Sequence, residues 1–139
     1  MASTATDQSS LARLEDVDAV LAHASDDLTG QTVVDPNGHR VGEVDGLIID
    51  LDERRARLLI VASGGQLGLA RVRRLLPVDA VTRIDDRVHI EVAHEDVHSG
   101  AEYRPGVGPS PRYADVYAHY GYSPYWDASY VSPYFLRRT

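Results

Sequence analysis

Gly38-His39-Arg40-Val41-Gly42-Glu43-Val44-Asp45-Gly46-Leu47-Ile48-Ile49-Asp50 decides the fold of this chain. Pro36-Asn37-Gly38 ahead of it is a turn, because Asn37 and Gly38 can take positive φ. From Arg40 to Leu51 the residues read as one long strand, with Gly42 and Gly46 marking bends or bulges. Outward from it, Gln31–Asp35 is a strand before the turn, and Asp52-Glu53-Arg54-Arg55 reverses the chain into an apolar, β-rich strand from Ala56 to Ser63. Arg71–Leu76 is a strand stopped by Pro77, which has no N–H to give to a ladder. Val78–Ile84 holds a short turn and a strand, Asp85-Asp86 is a tight turn, and Arg87–Val92 closes the set. These are five or six short strands in about 65 residues with no helix long enough for a parallel crossover, so antiparallel pairing is expected. Closure into a barrel would remove the exposed edges.

The flanks read differently. Residues 1–10 are small and polar, a composition expected to be disordered. Leu11, Leu14, Val17, Val20 and Leu21 recur at helical spacing, so an amphipathic helix is expected over 11–24, ended by Ser25-Asp26-Asp27. Residues 93–99 read as helical or irregular. After Gly100 the composition changes: all eight tyrosines lie between Tyr103 and Tyr134, together with Trp126, Phe135 and five of the seven prolines. No regular period shows in this tail. The expected organisation is a disordered 1–10, a helix within 11–27, a β domain over 28–99 and a Tyr/Pro-rich tail over 100–139.

Composition excludes several functions. There is no cysteine, which removes disulfides, thiolate metal sites and cysteine nucleophiles. No apolar run approaches the roughly 18 residues of a membrane helix, and Met1–Ser10 has neither the basic start nor the apolar stretch of a secretory signal. The expected location is the cytoplasm. The net charge is −7, which argues against wholesale binding to a phosphate backbone. All fourteen cations are arginine.

The order Leu28-x-Gly30-x-x-Val33-x-Asp35, Gly38-x-x-Val41-Gly42-x-Val44-x-Gly46-x-Ile48-Ile49-Asp50, Leu58-Leu59-Ile60-Val61, Leu75-Leu76-Pro77-Val78-Asp79-Ala80-Val81, then Ile84-Asp85-Asp86-x-Val88-His89-Ile90 resembles a PRC-barrel domain. The family includes the cytoplasmic domain of the photosynthetic reaction-centre H subunit, the C-terminal domain of the ribosome maturation factor RimM and many stand-alone bacterial and archaeal proteins. The likeness covers Leu28 to Val92. It implies a mainly β fold, a small six-stranded barrel used as a protein-interaction platform, often without catalysis. Neither a transmembrane helix before the barrel nor a separate domain like that of the ribosome factor is expected, so neither specific role is expected to carry over. Val33, Val44, Ile48, Leu58, Ile60, Leu76, Val81, Ile84, Val88 and Ile90 are the expected core.

Candidate sites are few. His89, His94 and His98 are the best-placed metal ligands, with Glu91 and Glu95 nearby, and His94 and His98 would share a helix face. The zinc-protease spacing fails, since three residues separate them; a solvated acidic segment is the expectation, with no metal and no cofactor. Asp50, Asp52 and Glu53 lack the further oxygens calcium needs. Ser63-Gly64-Gly65-Gln66-Leu67-Gly68 has no Gly-Lys-Ser/Thr ending and reads as a strand connection. Arg71, Arg73 and Arg74, with Arg54, Arg55 and Arg57, could form a basic face for RNA or for an acidic protein partner. Tyr113, Tyr117, Tyr120, Tyr122, Tyr125 and Trp126 are rings of the kind over-used at interfaces. No Ser/His/Asp set or carboxylate pair has supporting context. The reading is a non-enzymatic interaction or scaffold module, self-associating through barrel, helix or tail. The alternative is an RNA- or ribosome-associated accessory factor using the Arg71/Arg73/Arg74 face.

Overall fold

The computed structural model describes residues 11–16, 20–64, 71–104 and 112–137. Among these lie β1 (Leu11–Arg13), β2 (Thr32–Val34), β3 (Arg40–Asp50), β4 (Ala56–Gly64), β5 (Arg71–Pro77), β6 (Val81–Ile84) and β7 (Val88–Ile90). Three helices follow: α1 (His94–His98), α2 (Tyr113–Tyr120) and α3 (Tyr134–Arg137). The strands form one sheet in the order β5-β4-β3-β2-β7-β6, and β1 pairs with β3 as well. The long β3 organises it: its first half pairs with β2, its last three residues with β1, and its other edge with β4.

Three expectations about the architecture are corrected. Among the described residues no ladder joins β5 to β6, so the sheet curls without closing. The chain runs from β5 through Pro77 into a 3-10 turn, Val78–Ala80, and directly on into β6, so these neighbours are joined by a corner. Nor is pairing wholly antiparallel: β2 and β7 run parallel, with Val33 opposite Val88. In place of a helix over 11–24, Leu11–Arg13 adds to β3 as a strand, and 3-10 turns follow at Leu14–Asp16 and Ala24–Asp26. A short amphipathic pattern is marginal as a helix, and the open edge of β3 beside β2 gives the same backbone a ladder.

Glycine matters most at Gly42. A Cβ there would stand 2.4 Å from the carbonyl oxygen of Ala62 on β4, so only glycine lets the two backbones approach this closely. Two residues of the β3–β4 ladder have no partner opposite them. Register skips Asp45 on β3 and Arg57 on β4, and such bulges re-aim side chains.

The apolar residues of β3, β4 and β5 are buried on both faces. Val44, Leu47, Ile49, Leu59, Val61 and Leu76 point into the curled sheet with Val33, Val81, Val88 and Ile90. Ile48, Leu58, Ile60 and Leu75 point the other way, under Leu11, Tyr103 and Tyr117. All the expected core residues are buried except Ile84, which is half-buried.

The tail is not wholly irregular, a fourth correction. Tyr113, Val116, Tyr117 and Tyr120 repeat at three- and four-residue steps along α2, which packs against β5. Gly121, at φ 78°, ends the helix with bonds from its own N–H to the Ala118 carbonyl and from the Tyr122 N–H to the Tyr117 carbonyl, a Schellman cap. The short α3 lies against β6 and the 3-10 turn and inserts Phe135, fully buried, among the inner residues. The proposed disorder of 1–10 and the loop at 65–70 lie outside the described residues.

Phe135→Ala is therefore expected to cost about 3–5 kcal/mol, the range for an emptied aromatic core site. Urea denaturation followed by circular dichroism of the β signal checks it. Loss of only the helical signal, with the β transition unmoved, would show that the tail is not part of the cooperative unit.

Candidate interaction surface

The turn between β3 and β4 ties the two ends of the described chain together. Arg54 closes it at φ 55°, an uncommon conformation for a side-chain-bearing residue. Asp50, almost fully buried, accepts the Glu53 N–H on Oδ1 at 2.5 Å and the Arg57 Nε–H on Oδ2 at 2.5 Å. Both of its oxygens are thus taken by protein donors. Arg57, the bulged residue, also reaches Glu53 and lies over the Tyr125 ring, 4.4 Å from its centroid. Burial alone would lower the pKa of Arg57, but the Asp50 and Glu53 charges turn the shift upward, so the guanidinium stays charged. Next to it, Arg55 grips Asp26 with two bonds of 2.8 and 3.1 Å, a bidentate geometry suited to guanidinium. The Ala56 N–H adds a third bond to Asp26, and the Arg55 guanidinium reaches the Leu136 carbonyl at 3.5 Å.

A cleft of about 440 Å³ opens between this turn and the tail. Tyr125, Trp126 and Tyr130 form its aromatic wall; Arg57, Arg137, Asp52 and Glu53 also line it. Trp126 packs edge-on against Tyr117 and Tyr125, with centroids 5.7 and 5.3 Å apart. Val131, next to Tyr130 in the chain, is 82% exposed.

Buried polar groups near Tyr130 are short of partners. Asp79 Oδ1 and Tyr117 Oη are buried with no hydrogen-bond partner among the described residues. Burial pushes the Asp79 carboxyl up to about 6, although the Tyr130 hydroxyl and Arg57 pull the other way. The same burial raises the Tyr117 hydroxyl well above its ordinary range. Asp79 does not line the cleft.

The residues singled out from the sequence are placed as follows. Tyr117 is buried, while Tyr113, Tyr120, Tyr122, Tyr125 and Trp126 are half-buried on the chain's own sheet. Tyr122 donates to Glu91 at 2.5 Å. Arg71 binds Glu43 at 2.7 Å, Arg73 binds Asp45 at 2.6 Å, and Arg74 donates to the Gly100 carbonyl at 3.0 Å, so the arginine face carries its own counter-charges. The Asp45 bulge aims that carboxylate at Arg73. His89 sits with Asp85 and Arg83, 3.0 Å from the Asp85 carboxylate. His94 and His98 come together with ring centroids 6.0 Å apart. Sequence reasoning missed Tyr130 and the pairing of Asp26 with Arg55, which join residues far apart in the chain and leave no local pattern.

Among the described residues, no helix is long and apolar enough to cross a membrane. A family model described as PRC-barrel domain matches residues 22–97, more than half of the chain. No curated protein matches the chain.

A carboxyl whose pKa is raised by folding favours the protonated form. Its contribution to stability is complete below about pH 4 and is lost as the pH rises through about 6. Asp79→Asn should therefore raise stability by about 1–3 kcal/mol at pH 7.5, and the gain should close by about pH 4. Paired urea titrations at the two pH values read the difference.

Proposed function

The chain belongs to the PRC-barrel family, and from this we propose that it is a non-enzymatic protein-interaction module which associates with a second copy of itself through the aromatic–arginine cleft. PRC-barrel domains are in general protein-interaction modules and are generally non-catalytic. The observation that carries the reading is what remains at the surface after the tail has docked. Docking consumes Tyr103, Tyr117 and Phe135, yet Tyr125, Trp126 and Tyr130 still line an open cleft together with Arg55, Arg57 and Arg137. Trp, Tyr and Arg are the residue types in which interface energy concentrates. Asp52 on the turn and Arg137 on α3 put both signs of charge on the lining of the same cleft. A two-fold axis would bring Asp52 of one copy to Arg137 of the other and the reverse, as an isologous interface requires.

Removing the tail is a poor test, because it would bare Ile48, Leu58, Ile60 and Leu75. Ser132→Arg is better, since Ser132 is exposed, lines the cleft and supports no core residue. Light scattering should give a dimer for the unaltered protein and a monomer for Ser132→Arg, with circular dichroism unchanged. A monomer for the unaltered protein throughout the micromolar to millimolar range would end the self-association reading.

A further inference from the structure

Away from the cleft, the turn between β2 and β3 meets α1. Asp35 is the residue on which they meet, its side chain fully buried. Its Oδ1 is held by the Asn37 and His39 backbone N–H groups at 2.9 and 2.8 Å. Its Oδ2 takes the His94 backbone N–H at 3.2 Å. Two imidazole nitrogens also converge on that one oxygen: His94 Nδ1 at 2.9 Å and His39 Nδ1 at 3.3 Å.

We propose that Asp35, His39 and His94 form a binding site for a divalent first-row transition ion of the zinc class, clamping the β2–β3 turn to α1. The three donor atoms all lie within 4.8 Å of one another. Four ligands at the 2.0–2.1 Å bond lengths of zinc stand about 3.3 Å apart along each edge of the tetrahedron. The two nitrogen–oxygen separations are already close to that value, so an ion could be taken up with small side-chain movements. Two imidazoles and a carboxylate suit zinc, copper or nickel and not magnesium or calcium, which take oxygen cages. The hydrogen bonds on Asp35 Oδ1 orient the carboxylate in the way outer-shell partners orient metal ligands. His39, with 57% of its side chain exposed, leaves the site open to solvent. The fourth position falls to water or to Glu95, whose Oε1 lies 3.4 Å from His94 Nδ1. A simple hydrogen-bonded cap would need only one imidazole on Asp35; the second adds little to the fold from so exposed a position.

His98 does not belong to the set, since its Nε2 is 3.1 Å from the Val41 carbonyl oxygen. His89 serves as the control, being held by Asp85. The experiment is isothermal titration of the full chain with zinc chloride, repeated with magnesium and calcium, alongside thermal unfolding with and without zinc. One zinc per chain is expected, with no heat from the hard ions. Zinc should also raise the melting temperature, as any ion bound only by the folded state must. His39→Ala should weaken zinc binding by roughly tenfold or more and abolish the thermal shift while leaving circular dichroism unchanged; His89→Ala should change neither. Absence of stoichiometric zinc binding, or a zinc affinity unchanged by His39→Ala, would overturn the proposal.

Discussion

A strand with apolar side chains on both faces has to be covered twice. Leu59 and Val61 of β4 point into the curled sheet, while Leu58 and Ile60 point outward with Ile48 and Leu75. Each such side chain is worth about 1.5–3 kcal/mol when buried, so leaving four exposed would forfeit roughly 6–12 kcal/mol. That is comparable to the 5–15 kcal/mol by which a domain is stable at all. The C-terminal segment is therefore structural: α2 roofs the outer face and α3 plugs the open side of the sheet with Phe135. Its aromatic load follows from that task, since large rings cover much area with few rotatable bonds.

The second cover is located by charge. Arg57, thrown out of the β4 ladder by a bulge, meets Asp50 below and Tyr125 above; Arg55 meets Asp26 and the end of the tail. Buried ion pairs contribute little net stability against an apolar alternative, while losing one partner costs about 3–5 kcal/mol. They act here as registration marks. The tail and the N-terminal segment could slide on a greasy surface, but a bidentate contact and a cation over a ring allow one alignment.

The strands were legible because their signals are local. Asn37-Gly38, Pro77 and Asp85-Asp86 punctuate them, and the pattern of glycines and aliphatics between Leu28 and Val92 carried the family. Three parts were not legible. Leu11–Arg13 shows a helical spacing that the free edge of β3 overrides, as tertiary pairing overrides weak local preference. The parallel contact of β2 with β7 depends on residues more than fifty apart. The α2 helix was within reach: Tyr113, Val116, Tyr117 and Tyr120 keep helical spacing and Gly121 ends it, but the surrounding prolines and glycines hid a helix only two turns long. Of the surface residues, the rings of the tail drew notice by number. The cleft they border depends on the fold of the β3–β4 turn, and the approach of His39 to His94 depends on where α1 lands.

Burial of the outer face by a later segment also sets an order of events during synthesis. β4 leaves the ribosome about fifty residues before α2 does, an interval of roughly 2–10 s at ordinary elongation rates. Throughout it the nascent sheet shows a bare row of leucine and isoleucine, the kind of surface that nascent-chain chaperones hold. Shuffling the domain order, or fusing a slow-folding partner between Arg104 and Arg112, would lengthen that naked interval and convert a folding chain into an aggregating one.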